Sequence, residues 1–302
     1  MQMLYSLSKD SNLTFENLST QYRKSVDRSY ELFTYNLLFI IRVAEYSRKE
    51  AQAKSSKHLP SDEDKAFSPI LFENELVQSM IKNEAYEAEI QNHEFEENLE
   101  PDTIRNMYIE FSKKEDYIAY IKKDNYTLQD HKAILLSLYK CCTNSESFDE
   151  EMEDKYFAWT DDKSLIIGTM KKTLKALPAT PGKSFTEVYR PTKETVEDFG
   201  IALLKYVVEK DEELLGIISP SLKNWDADRV AIIDMICLKM AISELMIFPT
   251  IPTKVTLNEF VEISKVYSTD KSKDFINGVL DRLMKKLDKD GRITKEGRGL
   301  VE

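Results

Sequence analysis

Glycine and proline are scarce in this chain, with 8 and 9 among 302 residues. That scarcity removes the punctuation a turn-rich fold requires and excludes collagen-like and low-complexity classes. No convincing run of alternating apolar and polar residues argues for a strand, so an all-α protein is expected. Cysteine is rarer still. Cys141, Cys142 and Cys237 supply neither a disulfide framework nor the paired C-x-x-C spacing of a zinc site, and they fit the reduced thiols of a cytoplasmic protein. Long hydrophobic runs are missing too: the best candidate, Leu32 to Ile41, is too short for a bilayer and contains Thr34 and Asn36. The N-terminus has no basic region followed by an apolar run, so neither secretion nor membrane insertion is expected.

Histidine is limited to His58, His93 and His131, which lie in separate segments, none beside a cysteine or carboxylate at ligand or triad spacing. No nucleophile elbow or zinc motif occurs. The chain is therefore read as a non-enzyme with no cofactor and no metal. A net positive charge is also lacking. At −11 the chain does not coat nucleic acid over its whole surface, although a local basic face stays open.

What is present is helical periodicity. From Thr14 to Ala53, Leu18, Tyr22, Val26, Tyr30, Phe33, Leu37, Ile40, Ile41 and Ala44 recur at three- and four-residue steps, and Arg23, Lys24, Asp27 and Arg28 are assigned to the solvent side. Further helical patterns occupy 71–91, 101–122, 128–142, 149–159 and 161–177, with Pro101 suited to a first turn and Pro178 to a stop. Residues 54–69 read as a loop and 177–191 as a linker. Between Glu73 and Asp116 there are 13 acids against 4 bases, a solvated acidic face or a docking surface for a basic partner.

Two motifs imitate ligand loops. Pro181-Gly182-Lys183-Ser184 resembles the end of a phosphate-binding loop, but the glycine required five residues before Gly182 is Leu177. Asp288-Lys289-Asp290-Gly291 imitates a calcium loop. With Gly291 in the sixth place, the first and last ligand positions are Lys286 and Gly297, which lack carboxylates.

The most organised stretch runs from Trp225 to Asp281. Val230, Ile232, Ile233, Ile236, Met240 and Leu245 place one apolar face on a helix between Arg229 and Phe248, with Asp226 or Asp228 as its cap. Phe248-Pro249-Thr250-Ile251-Pro252 stops it. A second helix begins at Thr256, a polar break follows at Ser268-Thr269-Asp270, and a third helix starts near Ser272. Gly278 sits inside that third helix at a cost of roughly 1 kcal/mol relative to alanine, which close approach by a neighbouring helix, another backbone or a ligand would justify.

Glu244-Leu245, Ile251-Pro252-x-x-Val255-x-Leu257-Asn258-Glu259 and Phe275-Ile276-Asn277-Gly278-Val279-Leu280-Asp281 resemble, in order and spacing, the signature of the NusB family of transcription antitermination factors. The resemblance is strong from Val196 onward and returns faintly in Gln2-Met3-Leu4-Tyr5-Ser6. It implies a NusB-like helical bundle of two packed helical subdomains with a large helical insertion. On that reading, residues 1–190 form an N-terminal helical subdomain with an acidic helical insertion over about 51–190. Residues 191–288 form the C-terminal subdomain, and 289–302 a flexible tail. The resemblance also implies an arginine-rich stretch a turn or two before Tyr5, which this sequence begins too late to contain, so a missing beginning is expected, with loss of the basic stretch as the alternative.

Carried over position by position, the resemblance implies RNA contacts at Gln2, Tyr5, Lys273, Phe275 and Asn277. Stacking of bases on Tyr5 and Phe275, with nearby Lys271, Lys273 and Arg282 neutralising phosphates, is the chemistry that single-stranded RNA recognition uses. A core position is the alternative for each ring, and for Phe275 core and contact weigh equally. The expected ligand is boxA-like RNA, and the expected partners are a small-subunit ribosomal protein (NusE) and the transcription elongation complex. For the ribosomal protein, the resemblance implies Asp234 with Arg229 and Lys239 nearby. Because Asp234 falls among isoleucines, burial demands compensation, and an ion pair with Arg229 or Lys239 is expected. Two alternatives stand beside this reading: a protein-interaction module without RNA binding, and a NusB-like domain related to RNA methyltransferases. The latter requires an α/β cofactor domain that the sequence does not contain.

Overall fold

The computed structural model describes residues 1–10, 12–222, 226–269 and 271–300, and no strand occurs among them. Trp225 and Asp270, two landmarks of the C-terminal pattern, lie outside the described residues, as do the last two residues of the expected tail. In chain order the helices begin with α1 (Gln2–Lys9) and α2 (Phe15–Ser55). Next come α3 (Asp62–Ala66), α4 (Ile70–Glu73), α5 (Glu75–Ile81), α6 (Glu84–Asn92), α7 (Phe95–Asn98), α8 (Pro101–Phe111), α9 (Glu115–Ile121), α10 (Leu128–Thr143), α11 (Glu146–Lys155) and α12 (Trp159–Ala176). A wide π-helical segment, Glu194–Ile201, then runs into α13 (Ala202–Glu209), followed by α14 (Asp211–Ile218), α15 (Ile232–Ile247), α16 (Thr253–Tyr267) and α17 (Ser272–Lys289).

The chain divides into two compact units: Met1–Ser25 with Thr192–Glu302, and Val26–Pro191. The division expected from the sequence keeps residues 1–190 together. Leu4 and Leu18 are buried in the same core as Leu204, Ile218, Leu238, Val279 and Leu280, which joins the opening residues to the C-terminal ones. The start of α2 is also clamped to the π segment. Arg23 donates from Nε and Nη2 to the two oxygens of Glu197 at 2.6 and 2.7 Å. Tyr22 lies so close beneath the segment that a Cβ on Gly200 would sit 2.0 Å from its hydroxyl oxygen, so a larger residue there requires the Tyr22 ring to move.

In the unit Val26–Pro191, α2 is more enclosed than its one-sided pattern predicts. Every residue from Leu32 to Ile41 is buried. A helix apolar on all sides belongs at the centre of a unit rather than on its flank. Its two polar residues are satisfied locally: Thr34 donates to Glu31 O at 2.9 Å and Asn36 to Leu32 O at 3.0 Å. The pattern over 71–91 is broken into α4, α5 and α6 by two asparagines. The Asn74 side chain accepts from the amides of Leu76 and Val77, and that of Asn83 from Tyr86, so each caps a new helix where the last one ends. Pro101 occupies the first turn of α8. The segment expected as a linker is pinned to this unit: Ala179 N donates to Ser79 Oγ, Asn83 to Lys183 O, and Arg190 to the buried Glu89.

In the other unit α15 is central, packed by α1, α13, α14, α16 and α17. It too is buried on more than the one face expected, with Ala241 to Leu245 all enclosed. It begins at Ile232 rather than Arg229, because Asp226 caps a separate short turn, Ala227–Arg229, by accepting from Asp228 N. Phe248 ends it ahead of Pro249, and Pro252 opens α16 at Thr253, three residues before the expected start. The residues expected as a flexible tail make definite contacts. Lys295 Nζ donates to Phe248 O at 3.0 Å, Glu296 N to Pro249 O at 2.9 Å, and Gly299 lies so near Pro249 that a Cβ would meet its carbonyl oxygen at 2.1 Å.

Candidate nucleic-acid and partner interface

The site is built on the first turns of α17 and on α1, both of which pack on α15. On α17 the apolar stripe Ile276, Val279, Leu280, Leu283 and Leu287 is buried and fixes the helix's roll. Lys273 and Asn277, one turn apart, are consequently exposed on the outer side. Phe275 is half-buried against the core, leaving part of its ring accessible. Gly278 has no close neighbour of the kind expected: the nearest atom to a Cβ built there is Arg282 Nη1 at 3.7 Å. No backbone among the described residues accounts for this glycine, and the surface beside Asn277 is open to an approaching ligand. Arg282 is directed elsewhere, donating from Nε to Ser221 O at 3.1 Å.

On α1, Leu4 is buried and Tyr5 is 41% exposed, with Lys9 Nζ 5.3 Å from the ring centroid. Gln2 is exposed on the same helix. The structure thus gives the ring of Tyr5 a solvent-facing position, and not the core position that the sequence left open.

Asp234 departs from its expected partner. It is 5% exposed on the first turn of α15, and its two carboxylate oxygens accept from Ser268 Oγ at 2.6 Å and Ser272 Oγ at 2.9 Å. Ser268 Oγ and Thr269 Oγ1 each lie 2.9 Å from Ser272 Oγ, within hydrogen-bond distance. Neither Arg229 nor Lys239 is involved: Arg229 is exposed, and Lys239 pairs with Asp211 at 2.5 Å. Hydroxyls replace the expected cation because they arrive from the turn that launches α17, at the depth where the carboxylate already lies. The polar run Ser268-Thr269 followed by Ser272 was the sequence signal for this network. Asp234 is therefore placed to set the start of the helix that carries Lys273, Phe275 and Asn277.

A cavity of about 480 Å³ has walls from α1, α13, α14 and α15, among them Leu4, Leu7, Val207, Leu215 and Ile236. The Asp211–Lys239 pair stands in its wall, and Asp228 and Val230, which flank Arg229, line it as well. Ile232, 42% exposed, lies at the same place. An apolar hollow with a few fixed charges accepts an aliphatic or aromatic side chain from a partner. Sequence periodicity does not reveal it, because four separate segments make it. Cys237, on α15, offers no nucleophile: burial and then the neighbouring Asp234 push its thiol up to about 11.

Among the described residues no group of histidines, cysteines and carboxylates is placed to hold a metal ion, and no helix is long and apolar enough to cross a membrane. The family model described as the NusB family matches residues 170–285. A transcription antitermination protein NusB of Chloroherpeton thalassium is 38% identical over 106 residues, 35% of this chain and 50% of the relative. The proteins of the same name from Salinibacter ruber and Natranaerobius thermophilus are 40% and 36% identical over 107 residues. Those alignments cover 35% and 34% of this chain, and 67% and 77% of the two relatives. The chain thus spans half the length of the first relative and at least two thirds of the other two. No solved structure matches. By these matches, and by its helical C-terminal unit, the chain belongs to the NusB family.

Proposed function

We propose that this protein is a non-catalytic, RNA-binding transcription antitermination factor that binds boxA-like RNA with a small-subunit ribosomal protein of the NusE type and so supports antitermination and ribosomal RNA transcription. The observation that carries the reading is the outer side of α17. Lys273 and Asn277 are exposed there, Phe275 is half-exposed and Gly278 is open, all within the segment that matches the NusB family. An ammonium, an amide and a ring edge are what phosphate neutralisation, base-edge hydrogen bonding and stacking require. Gln2 and Tyr5 add a second amide and a solvent-facing ring. Lys239 and Arg229, at and beside the cavity, are assigned to the ribosomal partner, and Asp234 supports both surfaces from within.

The test is a fluorescence-anisotropy titration of boxA-like RNA with the full chain, alone and with the ribosomal partner. Lys273→Glu is expected to weaken binding to all RNA sequences and to flatten the log-log salt dependence by about 0.7 for one phosphate contact on a single strand. Phe275→Ala is expected to blunt base preference and to weaken binding by about 1–3 kcal/mol per stacked base. Absence of RNA binding by the chain and by its complex with the partner would overturn the reading. Retained partner binding in that case would favour a protein-interaction module.

A further inference from the structure

Charge is segregated within the unit Val26–Pro191. From Glu84 to Asp102 there are eight carboxylates and no lysine or arginine, whereas from Ser164 to Thr186 there are four lysines and no carboxylate. Those four are Lys171, Lys172 and Lys175 in the last turns of α12, and Lys183 in the turn that follows; all are exposed. Two more lysines are brought to the same end of the unit by the fold. Lys132 of α10 donates to Lys175 O at 2.7 Å, which sets its ammonium at the C-terminus of α12. The chain then runs against the end of α5, where Ala179 N donates to Ser79 Oγ and Lys183 O accepts from Asn83, next to the exposed Lys82.

Among the described residues, none of Lys82, Lys171, Lys172, Lys175 and Lys183 is within ion-pair distance of a carboxylate; Lys54, Lys57, Lys114, Lys123, Lys155 and Lys163 of the same unit are paired, while Lys49, Lys113, Lys122 and Lys140 are not, so what sets Lys171 to Lys183 apart is a stretch of 23 residues, Ser164 to Thr186, with no carboxylate. The helix dipole accounts for Lys175 in the last turn of α12, but its influence fades before Lys171 and does not reach Lys183. Lys171 and Lys175 are four residues apart on one face, where like charges repel. An accumulation that the fold itself does not neutralise, in a protein of net charge −11, is the electrostatic footprint of a polyanion contact.

We infer that the lysine-rich end of this unit, Lys171, Lys172, Lys175 and Lys183 with Lys132 and Lys82 beside them, is a second RNA-backbone contact, engaging RNA that flanks the element held by α17. The inference rests on the RNA-binding reading above and extends it to the unit Val26–Pro191, whose lysine-rich stretch lies in the opening residues of the family match. Phosphates are favoured over an acidic protein because the surface lacks the apolar centre of a protein interface. Between Ser164 and Thr186, Leu165 is the one large apolar residue that stands exposed. The turn at Pro181-Gly182 suits close approach by a backbone. Gly182 has φ +72°, and nothing among the described residues lies within 4 Å of the position of a Cβ there. With no exposed aromatic ring in this stretch, the contact neutralises phosphates and does not read bases.

The experiment compares the full chain with a K171Q/K172Q/K175Q variant, in which glutamine preserves helix propensity. Affinity is measured across a salt series for a short boxA-like RNA and for the same RNA extended by an unrelated single-stranded flank. Unchanged circular dichroism establishes that the variant is folded, and Lys183→Gln, in a turn, provides an independent variant. The parent is expected to bind the extended RNA more tightly and with a steeper salt dependence. The triple variant is expected to lose that gain, with a slope reduced by about 2 and affinity weakened roughly tenfold, while its binding of the short RNA is unchanged. Equal binding of both RNAs by parent and variants, with Phe275→Ala still weakening the short RNA, would overturn this inference alone. Absence of binding to either RNA would overturn it together with the function proposed above. A polyglutamate peptide that binds the parent and not the variant, with RNA binding the same in both, would assign the surface to an acidic protein and overturn it likewise.

Discussion

Replacing Asp234 by alanine tests the claim that this carboxylate fixes the start of α17. Its oxygens accept from Ser268 and Ser272, at 2.6 and 2.9 Å, in a position 5% exposed. Hydrogen bonds to a charged acceptor contribute roughly 1.5–3 kcal/mol each, so two lost bonds set an upper bound of about 3–6 kcal/mol. The true loss is smaller, because Ser268, Thr269 and Ser272 are already within hydrogen-bond distance of one another and remain mutually satisfied. A destabilisation of about 2–4 kcal/mol is expected for Asp234→Ala, and about half that for Asp234→Asn, which keeps one acceptor oxygen. The assay is urea unfolding with amide hydrogen exchange over residues 268–276. Exchange there should accelerate by roughly 30-fold for each 2 kcal/mol of local stability lost. A double-mutant cycle with Ser272→Ala should return a coupling of about 0.5–3 kcal/mol. An Asp234→Ala protein within about 0.5 kcal/mol of the parent, with unchanged exchange in that turn, would refute the argument.

Gly200→Ala should destabilise the C-terminal unit by about 1–3 kcal/mol in thermal unfolding, since its methyl would sit on Tyr22. A Tyr22→Ala background should relieve the strain, and an undiminished penalty there would discount the contact. His131 is 7% exposed, with Nδ1 2.8 Å from the Tyr120 hydroxyl, and burial lowers its pKa below the ordinary 6.5. The unfolded chain therefore binds this proton more tightly than the folded one. Its stabilising contribution is complete above pH 6.5 and is lost as the pH falls through that value toward the folded pKa. Between pH 7.5 and 5.5 the melting temperature of the parent should fall further than that of His131→Gln, and equal falls would remove His131 as the cause.

Much of the C-terminal unit was legible along the chain, because its signals are local. Proline ends α15 and opens α16, apolar steps of three and four set α17, and the Phe275-to-Asp281 run carries the family resemblance. The breaks between α4, α5 and α6 were less legible. Asn74 and Asn83 cap helices only by side-chain bonds that periodicity does not encode. The extent of burial was not legible either: α2 and α15 show the pattern of half-buried helices, but each is enclosed in a core that other segments of the chain complete.

By itself, then, the sequence determined an all-helical chain, its C-terminal family membership, and an outward row of Lys273 and Asn277 on a helix whose inward row is aliphatic. The helices and the aliphatic row follow from spacing, since a helix fixes which neighbours share a face, whereas the family and the choice of Lys273 and Asn277 follow from the resemblance. Tertiary structure alone decided that residues 1–25 belong with 192–302, through the Arg23–Glu197 pair and the seat of Tyr22 under Gly200. It also decided that Asp234 is satisfied by two serine hydroxyls and not by a cation. Both outcomes depend on groups 34 or more residues apart meeting at hydrogen-bond distance, which is settled by packing and not by order along the chain.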